Sequence, residues 1–240
     1  MIKPITCNSG LVWLIMTHSP IILVFDLDNT LVHSKIDFLG IRTALADWAL
    51  KKGFQDTSEF QQMPISDIIS QIETVLDSDS TTSHQIWQIV EEFEEKGMMD
   101  AIISDDVVPA LQRIRSLGIK TAVFTNNSSK SAAPALEKFQ LGPFDVVKTR
   151  DNVRAMKPSG AGVLEIIQLL SGTLENTYLV GDSWVDGLCA QNAGVKFIAF
   201  GKDRFAQIEE RKIPYHTKIE NMEQLLDFAK EKLVTALRSL

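Results

Sequence analysis

The chain has 240 residues, 45% of them hydrophobic and 23% charged, the balance of a soluble globular protein long enough to bury a substantial core. The net charge is −7 with pI near 5.2 and no basic run, which argues against nucleic acid as a partner, because phosphate-backbone binding needs clustered Lys and Arg. Two cysteines, Cys7 and Cys189, exclude a disulfide framework or a cysteine-built metal site and fit a reducing, cytoplasmic setting.

Residues 1–19 are read as an N-terminal extension. The apolar stretch Leu11–Met16 falls well short of the roughly 20 residues a membrane span requires, and no small-residue cleavage site follows it. Met16 is a natural beginning ahead of the first strand, so residues 1–15 are expected to lie outside the fold.

Ile21–Phe25 is a continuous apolar run that ends in Asp26-Leu27-Asp28-Asn29-Thr30. Such a run reads as a strand buried on both faces of a parallel sheet. Open α/β sheets place their ligands at the carboxyl ends of their strands. Two carboxylates one residue apart repel unless a cation separates them or one keeps its proton. One can then act as nucleophile and metal ligand while the other moves protons. The same letters also serve in turns and helix caps, so the choice depends on what the later strand ends deliver.

From Ser34 to Ser104 the apolar spacing becomes helical: Phe38, Ile41, Leu45 and Trp48, then Ile65, Ile68, Ile69, Ile72 and Val75, then Ile86, Ile89, Val90 and Phe93. Gly53, Pro64 and the polar stretch 77–83 punctuate them. This predicts a helical unit over residues 34–104, inserted after the first strand. Its thirteen acidic residues against five basic ones are read as a solvated acidic face.

The α/β alternation then returns. A helix from Val107 leads to a strand at Lys120–Phe124 and to Thr125-Asn126-Asn127-Ser128. A hydroxyl and an amide ahead of a helix N-terminus suit an oxyanion. A short strand at Phe144–Val147 precedes Lys157-Pro158 and a helix reaching Leu170, with Pro158 placed near that helix's first turn. The compact charge of Lys157 suits a phosphoryl oxygen and a carboxylate together. Gly160-Ala161-Gly162 lacks the third glycine of a dinucleotide fingerprint and does not directly follow a strand. The strand Thr177–Gly181 again delivers acid, Asp182 and then Asp186, which suits Mg²⁺.

The ordered set D-L-D-N-T-L at Asp26, T-N-N at Thr125, K-P at Lys157 and G-D-S-x-x-D at Asp182 resembles the four signature motifs of the haloacid dehalogenase superfamily, and within it the phosphoglycolate phosphatase-like members. The resemblance implies an α/β fold: a Rossmann-like parallel-sheet core over residues 20–33 and 105–240, with a helical cap at 34–104. It implies a Mg²⁺-dependent phosphatase for a small phosphorylated metabolite. Asp26 would be the nucleophile that forms an aspartyl-phosphate and Asp28 the general acid and base, with Thr125, Asn126 and Lys157 as phosphate holders. The metal would sit on Asp26, Asp182 and the carbonyl of Asp28, with Asp186 binding through water or supporting that shell. A phosphomutase or a catalytically silent binding protein on the same scaffold are the alternatives. Two departures stand out: Asn29 replaces the commoner Gly, and His33 stands where phosphoglycolate phosphatases often carry Asp.

Overall fold

The computed structural model describes residues 19–240 except 77, 78, 203, 239 and 240. Residues 1–18 of the expected extension, Cys7 among them, lie outside the described residues. Those described divide into two compact units: residues 19–31, 104–126 and 141–238 form one, residues 32–103 and 127–140 the other.

The first unit is built on six parallel strands: β1 (Ile22–Phe25), β2 (Lys120–Phe124), β3 (Val146–Lys148), β4 (Thr177–Gly181), β5 (Lys196–Phe200) and β6 (Thr217–Ile219). Their order is β3-β2-β1-β4-β5-β6, the doubly wound, Rossmann-like α/β arrangement expected from the sequence. The chain builds outward from β1 to β3, then returns to place β4 on the other side of β1. The carboxyl ends of β1 and β4 are thereby neighbours, and the direction of winding changes between them. β1 is buried along its whole length, which is why it reads as an unbroken apolar run.

Helices α4 (Val107–Ser116), α6 (Ala161–Leu169), α7 (Trp184–Ala193), α8 (Phe205–Glu210) and α9 (Met222–Arg238) belong to this unit. Val24, Phe124, Val163, Ile166, Leu179, Cys189 and Phe197 meet in its core. The Cys189 thiol donates to the Ser159 carbonyl at 3.1 Å, and burial pushes it up to about 12, so it is a packing residue. The pair Gly160 and Gly162 also serves packing. A side chain at Gly160 would run into the backbone of Ala193 on α7, and one at Gly162 into the Phe124 ring. One expectation shifts: α6 begins at Ala161 with Gly160 as its cap, so Pro158 precedes the helix instead of sitting in its first turn.

The second unit holds α1 (Phe38–Lys51), a 3₁₀ turn at Ser58–Gln62, α2 (Ile65–Val75), α3 (Ser80–Met99) and α5 (Ser129–Lys138). Asp37 and Asp79 cap α1 and α3 by accepting from Gly40 and Thr82 N–H, both at 2.8 Å. The predicted helical stripes bury Ile41, Leu45, Ile68, Ile69, Ile72, Ile86 and Val90, whereas Val75 is exposed.

The acidic face of α3 needs correction. Glu94 continues the buried stripe of Ile86 and Val90 at four-residue steps, and only 5% of it is exposed. Glu91 and Glu95 are not simply solvated either, since both pair with Lys130 of α5. Among the described residues, no helix is long and apolar enough to cross a membrane.

Candidate active site

β1 delivers Asp26 and β4 delivers Asp182 at adjacent carboxyl ends, and α7 carries Asp186 in its first turn. One carboxylate oxygen from each of the three lies within 4.8 Å of the other two, and all three residues are buried. Lys157 Nζ donates to Asp26 Oδ1 at 2.5 Å and to Asp186 Oδ1 at 2.6 Å. The Lys157 side chain is 4% exposed, so its ammonium is compensated almost entirely by those two carboxylates.

Asp186 is held from two directions. Ser183 caps α7 in a reciprocal capping box: Asp186 N–H donates to Ser183 Oγ, while Ser183 N–H and Oγ donate to Asp186 Oδ2 at 3.2 Å and 2.5 Å. Lys157 takes the other oxygen. Room for this comes from Gly181, where a Cβ would lie 2.5 Å from the Asp186 Cβ and Cγ.

The electrostatics follow from burial. Asp26 is pushed up to about 7, first by loss of solvent, with Asp186 and Asp28 adding to the rise and Lys157 opposing it. Asp182 is pushed up to about 8, again by burial first, then by Asp186 and Asp26, with Arg204 opposing. Lys157 is driven upward by its two carboxylates against the penalty of burial. Both acidic shifts run against ionisation, and both would reverse with a divalent cation between the carboxylates.

That cation fits the donors present. Hard carboxylate oxygens, few in number and buried at strand ends, match Mg²⁺. Among the described residues, Asp26 Oδ2 has no hydrogen-bond partner and the Asp182 side chain is held only by Arg204, whose Nε lies 3.4 Å from Oδ2. Asp26 and Asp182 are therefore the side chains open to direct ligation. Asp186, with both oxygens spent, suits the supporting place.

Thr125 is buried at the end of β2, its N–H bonded to the Lys148 carbonyl at 3.0 Å. Asn126 takes a different role from the one its sequence suggested. Its Nδ2 donates to the Lys157 carbonyl at 2.9 Å and its Oδ1 accepts from the Lys157 N–H at 2.8 Å. The side chain thus fixes the Lys157 backbone. At the start of α5, Glu94 Oε2 accepts from the Ser128 N–H at 3.1 Å and from the Ser131 hydroxyl at 3.4 Å, so that N–H is already taken by a carboxylate.

Asn29 adopts φ 60°, a left-handed conformation Asn tolerates better than most residues, so it replaces Gly in that turn without much strain. Asp28 follows Asp26 on the same loop, close enough for its charge to raise both Asp26 and Asp182.

Three supporting residues escaped the sequence reading. Ser183 was legible as the first residue of an S-x-x-D capping box. Arg150, whose Nη1 donates to the Asn126 carbonyl at 2.8 Å, and Arg204 carried no local signal, because the topology alone brings them here.

Comparison with known proteins agrees with this geometry. Over 131 residues the chain is 36% identical to a candidate pyrophosphatase PpaX of Caldanaerobacter subterraneus subsp. tengcongensis; the match spans 53% of this chain and 59% of that protein. It is 25% identical over 186 residues to the pyrophosphatase PpaX of Bacillus mycoides, covering 74% and 81% of the two chains. The fold matches a crystal structure of a haloacid dehalogenase-like hydrolase from Bacteroides fragilis with TM-score 0.64 at 23% identity, over 86% of this chain and 99% of that one. The haloacid dehalogenase-like hydrolase family model matches residues 23–200, which take in Asp26, Thr125, Lys157, Asp182 and Asp186, and the chain belongs to that family.

Proposed function

We propose that the protein is a Mg²⁺-dependent phosphatase that passes a phosphoryl group from a small phosphorylated substrate to Asp26 and then to water. The observation that carries this reading is the buried group of Asp26, Asp182 and Asp186 around Lys157 at the junction of β1 and β4. PpaX relatives make inorganic pyrophosphate a substrate to consider beside phosphate monoesters.

Asp26 and Asp182 would hold the metal, with Asp186 behind them. When bound, Mg²⁺ supplies the positive charge that keeps these carboxyls ionised beside a phosphate dianion. The chain's own residues do the rest. Asp26 attacks phosphorus; as the new P–O bond forms, the bond to the leaving oxygen breaks and Asp28 donates its proton there. Lys157, fixed by Asn126 and Asp186, offsets charge on the transferred group, and the Thr125 hydroxyl donates to it. Asp28, now ionised, takes a proton from the water that attacks the phosphoryl group. Orthophosphate leaves and Asp26 is restored.

Phosphate release from a panel of phosphorylated metabolites, with Mg²⁺ and with chelator, tests the class of reaction. Asp26→Asn should abolish turnover and leave no phosphoenzyme. Asp28→Asn should slow turnover roughly 10²–10⁴-fold, the usual contribution of a general acid and base. With an aryl phosphate, whose leaving group needs little protonation, that variant should accumulate phosphoryl-Asp26, seen by acid quench and intact mass. A phosphoryl group mapping elsewhere, or full activity without divalent metal, overturns the mechanism.

A further inference from the structure

Two cations serve this group of carboxylates, and they are not equivalent. Lys157 is buried and bonded to two acids. Arg204 stands on the loop between β5 and α8, and β5 lies beside β4 in the sheet. Its side chain is 39% exposed and meets Asp182 through Nε alone. Its Nη1 and Nη2 have no hydrogen-bond partner among the described residues. It is therefore the cation with donors still to give and access to solvent.

A charge count shows what those donors are for. With Asp28 protonated as the acid, Asp26, Asp182 and Asp186 ionised against Lys157 and Arg204 leave −1, and one divalent cation brings the group to +1. A monoester adds one phosphate dianion, for which the metal and Lys157 would suffice. A diphosphate adds a second anionic group beyond the reacting phosphorus, and that group needs a donor of its own. A guanidinium with two parallel N–H vectors matches two oxygens of one phosphoryl group.

Resting on the phosphatase reading, we propose that Arg204 binds the departing phosphoryl group, so that this site selects substrates whose leaving group is itself a phosphate, as in inorganic pyrophosphate. In that reaction the Asp26–phosphorus bond forms, the bridging P–O bond breaks, and orthophosphate leaves against Arg204 with the proton from Asp28.

The test compares kcat/KM for pyrophosphate and for para-nitrophenyl phosphate, with Mg²⁺, in the parent, Arg204→Gln and Arg204→Lys. Loss of charge-assisted hydrogen bonds should lower the pyrophosphate-to-aryl ratio about 10–100-fold in Arg204→Gln, chiefly through KM, with partial recovery in Arg204→Lys. An unchanged ratio overturns the assignment. So does an equal loss on both substrates, which would mean that Arg204 acts only through Asp182.

Calorimetric titration provides a readout without turnover. In an Asp26→Asn background with Mg²⁺, pyrophosphate should bind more tightly than orthophosphate, and Arg204→Gln should remove the difference. If the parent releases phosphate from neither substrate yet the difference in binding appears, the phosphatase reading falls and Arg204 stands as a residue that binds the second phosphoryl group of a diphosphate without its departure. If the aryl phosphate is turned over and the difference is missing, the role of Arg204 falls alone.

Discussion

Replacing Lys157 by Met measures how the buried acids are held apart. The substitution keeps most of the apolar stem and removes the charge bonded at 2.5 and 2.6 Å to Asp26 and Asp186. Two buried carboxylates are left without a cation, and breaking such an arrangement from one side costs about 3–5 kcal/mol. For a chain of this size that corresponds to a fall in Tm of about 6–20 °C.

The sign with pH is set by both partners. Lys157 is raised above its ordinary value, so its contribution is complete below about 10.4 and is lost only as pH rises through its higher folded value. At pH 7.5 that contribution is therefore present in the parent and missing from the variant. Lys157 is also what opposes the upward shift of Asp26, so in the variant Asp26 takes a proton at a higher pH than in the parent, the orphaned charge shrinks, and the deficit should narrow as pH falls toward 5. Urea unfolding of both proteins in chelator at the two pH values measures this. Adding Asp26→Asn should recover part of the loss, because the two residues are directly coupled. A deficit under about 1 kcal/mol at pH 7.5, the range of an exposed ion pair, would refute the reasoning.

Without metal, Asp26 and Asp182 keep protons that the unfolded chain has already released, so stability should fall as pH rises from about 4 toward 7–8. Mg²⁺, which competes with those protons, should raise Tm more at pH 8 than at pH 5.5; melts with chelator and with Mg²⁺ that show the opposite order would count against these shifts. Gly181→Ala places a methyl 2.5 Å from the Asp186 side chain, and such overpacking should cost about 1–3 kcal/mol. Because Asp186 is the group displaced, Mg²⁺ affinity measured by calorimetry should weaken as well; an unchanged affinity would show that Asp186 does not support the metal.

The sheet was readable because its central strands are buried along their whole length: Ile22–Phe25 is an unbroken apolar run, Thr177–Gly181 is mostly apolar, and each ends abruptly in acid. The convergence of Asp26, Lys157 and Asp182 was readable because each follows a strand or precedes a helix, where a parallel sheet gathers its ligands. What stayed hidden depends on packing between elements distant in sequence. Glu94 is one of four acids within residues 91–95 that look solvated, and only its four-residue step from Val90 marks it as buried. Its function as a cap for α5 depends on Ser128, 34 residues away. Asn126 offered an oxyanion donor on composition alone, yet its amide matches the Lys157 peptide in both directions, a pairing across 31 residues that no local pattern reveals.

The spacing of Asp182 and Asp186 illustrates how one sequence feature serves two ends. Four residues apart at the start of a helix, they look like a metal-binding pair. The capping box explains the same spacing differently: Ser183 at the cap requires its partner at the third helical position, which is Asp186. Asp182 is thereby left outside the helix at the tip of β4, available to ligate, while Asp186 is drawn into the first turn with one oxygen on Ser183 and the other on Lys157. A continuous path of charge-assisted hydrogen bonds then runs from the end of β4 through Ser183, Asp186 and Lys157 to Asp26 at the end of β1. Such bonds are stronger and geometrically narrower than neutral ones, so the position of Asp26 is fixed from the neighbouring strand as well as from its own. The start of α7 is in this sense part of the candidate site, and Ser183 acts there through Asp186.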